Sequence, residues 1–309
     1  MKILVTGGAG FIGSHIVEKL LENNHKVTVI DNLITGKIQN LPKNITFYHL
    51  DILTPDIEKI FAKEKPEIVI HHAAQVSVQE SLKNPLNDCS QNILATINIL
   101  EMCKKYNVRK IIYASTAAVY GIPHYFPIDE KHPTLPISFY GLSKLTSEYY
   151  IQLYSNLYNI KYTILRYANV FGKRQNMQGE AGVIPLFISR VLNNLDPIIF
   201  GDGEQTRDFI FVSDVALANV LSINNGDNEI LNISSNNQIS INALVNMLSN
   251  ITNKKIKCIH QEKKQGDIVN SCLQNKKGND QLKWQPKYSL YEGLKETIEF
   301  YYKQNKSST

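Results

Sequence analysis

Cysteine is scarce in this 309-residue chain. Cys89, Cys103, Cys258 and Cys272 lie far apart, with no C-x-x-C pair and no histidines at ligand spacing. A disulfide framework and a structural zinc site are thereby excluded, and a reducing compartment fits best. No apolar stretch approaches the roughly 20 residues of a membrane span. The N-terminus enters a strand-like segment directly, lacking the charged n-region and cleavage site of a secretory signal. A cytoplasmic protein is expected. The formal charge of +5 is spread over scattered lysines, and no basic run is interleaved with aromatics, so nucleic acid is not an expected partner. Internal repeats and low-complexity blocks are absent as well. What is present is 43% hydrophobic content, enough for a large core in one big domain or two closely joined ones.

The first half alternates β-prone runs with amphipathic segments. Lys2 to Thr6, Val27 to Asp31, Thr46 to Leu50, Ile68 to His71, Ile111 to Ala114 and Tyr162 to Arg166 read as strands. Such alternation predicts an α/β fold built on a doubly wound parallel sheet. Helical patterns run from Asn92 through Tyr106 and from Ser138 through Tyr158; they either form a dimer-making helix pair or cover the sheet. After Arg166 the alternation loosens, Gly and Pro become frequent between Gly172 and Gly203, and the remaining helices read as short. A smaller substrate-covering lobe follows from that.

Two stretches carry chemistry. In the first, Gly7, Gly10 and Gly13 separate the Lys2 to Thr6 run from a helical pattern starting at Phe11 and Ile12. Residues without Cβ let backbone N–H groups approach an anion at the positive end of a helix dipole, which is a pyrophosphate site. Asp31 ends the next strand, at the distance expected of the acid that holds a ribose hydroxyl pair. A carboxylate there repels a 2′-phosphate, so NAD is favoured over NADP.

The second stretch is Tyr140-Gly-Leu-Ser-Lys144 near the start of a helix. Residues four apart share a helix face, so phenol and ammonium point into one space. A cation beside the phenol, with the positive nicotinamide ring, is expected to bring it near neutrality as a general base. By itself the pair is as consistent with a solvated helix face. Tyr113 to Gly121 shifts the balance, because it runs from a strand into small and hydroxyl residues. Ligands bind at the carboxyl ends of parallel strands, so Ser115 and Thr116 are expected in the same pocket. His71 and His72 are adjacent on a strand and face opposite sides, which does not suit one metal ion. Asp129, Glu130 and His132 lie in a Pro-rich loop and are expected to be solvated. No metal site is expected.

With these motifs the chain resembles an extended short-chain dehydrogenase/reductase of the nucleotide-sugar epimerase/dehydratase family, over nearly its whole length. Further matching segments are Asp31 to Gly36, Asp51-Ile52, His71 to Gln75, Asn92, Leu165 to Gly172 and Phe200 to Phe209. The resemblance implies a Rossmann-type sheet at residues 1–172 plus about 208–233, and a mixed α/β UDP-sugar lobe at 173–207 plus 234–309. It implies NAD held by Gly7, Gly10, Phe11, Ile12, Gly13, Asp31, Asn32, Asp51, Ile52, Ala73, Ala74, Gln75, Asn92, Ser115, Tyr140, Lys144 and Tyr167. Catalysis falls to Tyr140, Lys144 and Thr116. For the substrate it implies Thr116, Val183, Asn169 at the diphosphate, Phe200 at the uracil, Arg207 at the phosphates, and Lys264, Asp267 and Ser271. A homodimer is also implied.

Relatives that eliminate water resemble one another in an Asp-Glu pair directly after the threonine, and sugar-acid decarboxylases carry a Glu nearby. Here Ala117 and Ala118 stand at those positions, and methyl groups move no protons. Reversible oxidation at C4 remains, as in UDP-hexose 4-epimerases. Ser271 matches a position that is bulky Tyr in enzymes limited to glucose and galactose, so N-acetylhexosamines are expected alongside or ahead of plain hexoses. Lys264 replaces the usual Arg and loses bidentate geometry. Lys173 replaces a proline after Gly172, and a looser loop is expected. The alternatives are a UDP-glucuronate-type 4-epimerase and a non-catalytic NAD-binding sensor on the same fold.

Overall fold

A computed structural model describes residues 1–177, 182–263 and 268–307, the side chains of 305–307 excepted. Seven strands form one parallel sheet: β1 (Lys2–Thr6), β2 (Lys26–Asp31), β3 (Thr46–His49), β4 (Ile68–His71), β5 (Lys110–Thr116), β6 (Lys161–Tyr167) and, after four short strands, Glu229–Ile233. The short ones are β7 (Asn169–Phe171), β8 (Ile198–Phe200), β9 (Thr206–Arg207) and β10 (Phe209–Phe211), which makes the last sheet strand β11. The sheet order is β11-β6-β5-β4-β1-β2-β3. The order in which strands are added therefore reverses between β1 and β4, the switch point at which such sheets bind ligands.

Period-two alternation assigns the strands to two cores. On one face Ile3, Val5, Val29 and Ile70 pack with Ile16, Val17 and Leu20 of α1 (Phe11–Glu22). On the other, Leu4, Ile30, Val69 and Ile111 pack with Ile60 and Phe61 of α2 (Ile57–Glu64). The helices α3 (Val78–Lys83), α4 (Pro85–Cys89), α5 (Ala95–Lys105) and α6 (Phe139–Tyr158) follow. The pattern from Asn92 is thus not one α-helix: Ser90–Leu94 forms a π-helical turn between α4 and α5, a distortion frequent at functional sites.

A third core lies outside the seven-stranded sheet. It joins Phe187 and Ile188 of α7 (Val183–Leu192) to Phe209 and Phe211 beside α8 (Val212–Leu221). Leu244 and Leu248 of α9 (Ile241–Thr252), between β12 (Ile239–Ser240) and β13 (Ile259–Gln261), complete it with Leu294 and Ile298. These last belong to the terminal helix, which follows α10 (Lys276–Leu282) and becomes α11 (Leu290–Ser307). Eighteen residues in α11 overturn the expectation that helices after Arg166 are short. Its polar outer face, rich in Glu and Lys, hides the periodicity from a composition-led reading. Leu282 and Trp284 pack into the first core of the central sheet. Among the described residues no helix is long and apolar enough to cross a membrane.

Candidate active site

Glycine is mandatory at two points of the β1–α1 turn. Gly7 has φ +68°, and a Cβ there would sit 2.6 Å from the Ala73 nitrogen. A Cβ on Gly13 would lie 2.2 Å from the Gly7 oxygen. Gly10 caps α1 without a side chain, and no acidic residue stands in the first turn. That helix end faces the turn with its dipole uncompensated. Phe11 and Ile12 anchor it against the third core.

Asp31 is buried at the end of β2 and accepts hydrogen bonds from the Ala9 nitrogen (2.9 Å) and the Leu33 nitrogen (2.8 Å). The Asn32 amide donates to the Asp51 carboxylate at 3.1 Å, while Ile52 is buried behind them. After β4 the Ala73 nitrogen donates to Thr6 Oγ1 (3.2 Å), and Ala74 leads to Gln75, whose nitrogen donates to Asn92 Oδ1 (2.9 Å). Asn92 sits in the π-turn and donates onward to Asp88 (3.0 Å) and to Ser143 Oγ (3.0 Å) on α6.

The Thr116 hydroxyl, at the end of β5, lies near enough to the Tyr140 phenol of α6 to favour its ionised form. Lys144 is buried one turn along α6; its Nζ donates to the Ala114 carbonyl at 2.9 Å and lies 4.7 Å above the Tyr113 ring. Burial pushes the Lys144 ammonium down to about 8, against the pull of Asp88 and Glu148. The Tyr140 phenol moves opposite to expectation. Burial pushes it up to about 12, outweighing the pull of the nearby Thr116 hydroxyl, because a desolvated phenolate loses more than one hydroxyl returns.

Ser115 does not join this group. Adjacent strand residues face opposite sides, and its hydroxyl donates to Glu148 Oε1 at 2.5 Å, where Arg166 also binds (Nε 3.0 Å). Tyr167 shares the face of Thr116 in the β5–β6 register, but its phenol is engaged elsewhere: it accepts from Asn219 Nδ2 (2.8 Å) and stacks on His72. His71 and His72 do face opposite sides, toward Thr96 and Asn219 respectively. Burial holds both neutral, at about 3 and about 4.

The Pro-rich loop is not solvated as expected. His132 is buried, its Nε2 accepting from the His124 nitrogen (2.9 Å), and Glu130 accepts from the Asn232 nitrogen of β11 (2.7 Å). Asp129 accepts from the Tyr125 hydroxyl (2.7 Å). Glu130 thus ties the loop to the sheet, while His132 and Asp129 bind within the loop itself. Nor is the turn at Lys173 left loose by the missing proline. Lys173 pairs with Glu296 (2.8 Å), its carbonyl meets His15 Nε2 (3.0 Å), and Arg174 pairs with Glu18 of α1.

On the substrate side, Asn169 opens β7, Val183 opens α7, Phe200 closes β8 and Arg207 closes β9. The Arg207 guanidinium donates to the Thr206 carbonyl (2.8 Å). Ser271 follows a segment tied to β9 through Thr206 N to Val269 O (3.0 Å). Lys264 and Asp267 lie outside the described residues. Four buried acids escaped the sequence reading: Asp88, Glu148, Asp208 and Asp214. Only Glu148 had a signal, standing four residues beyond Lys144 on the same helix face. Among the described residues no group of His, Cys, Asp and Glu could hold a metal ion.

Residues 3–234 match the model of the NAD dependent epimerase/dehydratase family. The chain belongs to that family. This family member is 47% identical to the putative UDP-glucose 4-epimerase of Methanocaldococcus jannaschii, over 99% of its own length and 100% of the relative's. Its fold superposes on Thermotoga maritima UDP-glucose 4-epimerase with UDP-glucose (TM-score 0.97, 44% identity, 99% and 100% of the two chains). It also superposes on Methanobrevibacter ruminantium UDP-N-acetylglucosamine 4-epimerase in complex with UDP-N-acetylmuramic acid (TM-score 0.94, 38% identity, 98% of each chain). NAD is the cofactor of the family, and the residues present fit it. The uncapped α1 terminus suits a pyrophosphate, and the Asp31 carboxylate at the β2 end suits a ribose.

Proposed function

We propose that this chain is an NAD-dependent UDP-sugar 4-epimerase acting on UDP-N-acetylglucosamine and UDP-N-acetylgalactosamine, on UDP-glucose and UDP-galactose, or on both pairs. The observation that carries the reading is buried Lys144 one turn beyond Tyr140 on α6, held to the Ala114 carbonyl of the strand that ends in Thr116, with alanines following the threonine. NAD held at the Gly7–Gly13 turn and Asp31 would supply a reversible hydride acceptor for C4 of the hexose, so no oxidant would be consumed. Tyr140 Oη accepts the proton of the 4-hydroxyl and later restores it. Thr116 Oγ1 assists at that hydroxyl, and the Lys144 ammonium favours the phenolate. Alanines at 117 and 118 leave no acid or base for dehydration. Asn169 and Arg207 hold the diphosphate and Phe200 the uracil, while the 4-keto hexose turns over to present its other face. The NAD unit comprises residues 1–172 with about 208–233, and the sugar lobe 173–207 with 234–309. The protein works as a cytoplasmic homodimer.

Ser271 supports the broader substrate range, since a small side chain leaves room for an acetamido group. The test is an activity panel of the four UDP-sugars on wild type and Ser271→Tyr, with copurified NAD(H) read from the ultraviolet spectrum. The expected result is wild-type turnover of at least one pair. The variant should lose about tenfold more N-acetylhexosamine than hexose activity. No turnover of any of the four overturns the reading, and equal losses overturn the role of Ser271.

A further inference from the structure

Asp208 is 0% exposed and stands between β9 and β10, directly after Arg207. Its carboxylate draws three donors from two other segments. Oδ1 accepts from the Ser235 nitrogen (3.0 Å) and Ser235 Oγ (2.8 Å), beyond β11, and Oδ2 accepts from the Leu273 nitrogen (3.2 Å). Its carbonyl takes two more bonds, from the Asn169 nitrogen (2.9 Å) and Asn169 Nδ2 (3.1 Å). Burial pushes the carboxyl up to about 6, with only hydrogen-bond donors pulling back. A buried carboxylate met by dipoles rather than a cation is a costly way to fill space. What it supplies is geometry, because one side chain ties its own segment to the Ser235 turn and to the Leu273 segment, alongside the β9–β12 pairing.

Those segments carry the substrate residues. Asn169 is bonded to Asp208, Arg207 precedes it, and Ser271 lies two residues before Leu273. The 268–274 segment is also held from outside, by the Ile128–Leu273 bridge and by Thr206 Oγ1 to Asn270 (2.9 Å). We infer that Asp208 is a positioning residue whose carboxylate sets the spacing of Arg207 and Ser271 around the nucleotide diphosphate and the sugar, while its backbone carbonyl and the β7–β10 pairing hold Asn169. The inference rests on the epimerase reading above. Displacement of these contacts weakens substrate binding, while the Thr116–Tyr140–Lys144 group, held by β5 and α6, is untouched.

The test measures KM and kcat for the best UDP-sugar, and UDP binding by calorimetry, on wild type, Asp208→Asn and Ser235→Ala. Folding is followed by thermal melting and retained NAD. Asp208→Asn should raise KM and the UDP Kd about tenfold or more, with kcat within about threefold of wild type. Ser235→Ala removes one donor of three and should move KM the same way by a few-fold. A folded Asp208→Asn with wild-type KM overturns the proposal, as does a fall confined to kcat. Should Asp208→Asn fail to fold, Ser235→Ala decides: a raised KM at constant kcat supports the proposal and an unchanged KM overturns it. Wild type that neither binds UDP nor turns over any UDP-sugar overturns the epimerase reading itself, a result separate from silent variants of an active enzyme.

Discussion

Tyr140 and Lys144 are set against each other by the same burial. Desolvation raises the phenol to about 12 and lowers the ammonium to about 8, so each group's neutral form is favoured. The chain by itself therefore holds a protonated phenol at neutral pH, and in the proposed mechanism positive charge beside it is what would make a base of it. Asp88 and Glu148 oppose the loss of the Lys144 charge. Tyr140→Phe removes only the hydroxyl, so kcat should fall by about 100-fold or more. NAD content and UDP affinity should stay within twofold, as checked by absorbance and calorimetry. Retained turnover would remove Tyr140 from the role of base.

Helix α6 has two functions along one face. Tyr140 and Lys144 stand at its start, and one turn later Glu148 reaches both Ser115 of β5 and Arg166 of β6 (Nη2 to Oε2 2.6 Å). Arg166 also lies 4.8 Å over the Tyr120 ring. The helix is thereby locked to the strand that presents Thr116. Glu148→Ala leaves a buried guanidinium without its partner, and stability should drop by about 3–5 kcal/mol. Urea unfolding monitored by circular dichroism checks this, and a loss below about 1 kcal/mol would count against the lock. The π-turn at Ser90–Leu94 serves α6 from the other side, turning Asn92 toward Gln75 and Ser143.

At the scale of the molecule, α3, α4 and α6 leave an apolar surface uncovered. Leu82, Leu86 (83% exposed), Leu94, Leu142, Leu153 and Leu157 (62% exposed) contribute to it. Isolated exposed leucines are ordinary, whereas a patch of this kind marks an interface. This supports the homodimer. The double variant Leu86→Asp, Leu157→Asp should shift the mass measured by light scattering from dimer to monomer. A monomeric wild type would overturn the assignment.

Local chemistry made much of this protein legible. Apolar β-prone runs defined the first six sheet strands to within two residues, because buried parallel strands need continuous apolar character. The glycine turn and Asp31 were readable because their backbone geometry admits few substitutes. Tertiary structure decided what depends on distant partners. Strands of two or three residues such as β9 and β12 have no period to detect, and their pairing is fixed by tertiary packing. Asp88, Glu148 and Asp208 look like surface acids until the fold surrounds them with donors. Ser115 and Thr116 carry similar hydroxyls, but the sheet sends one to Glu148 and the other to Tyr140. Sequence determines which groups are available; burial and facing, set by residues far along the chain, determine which of them meet.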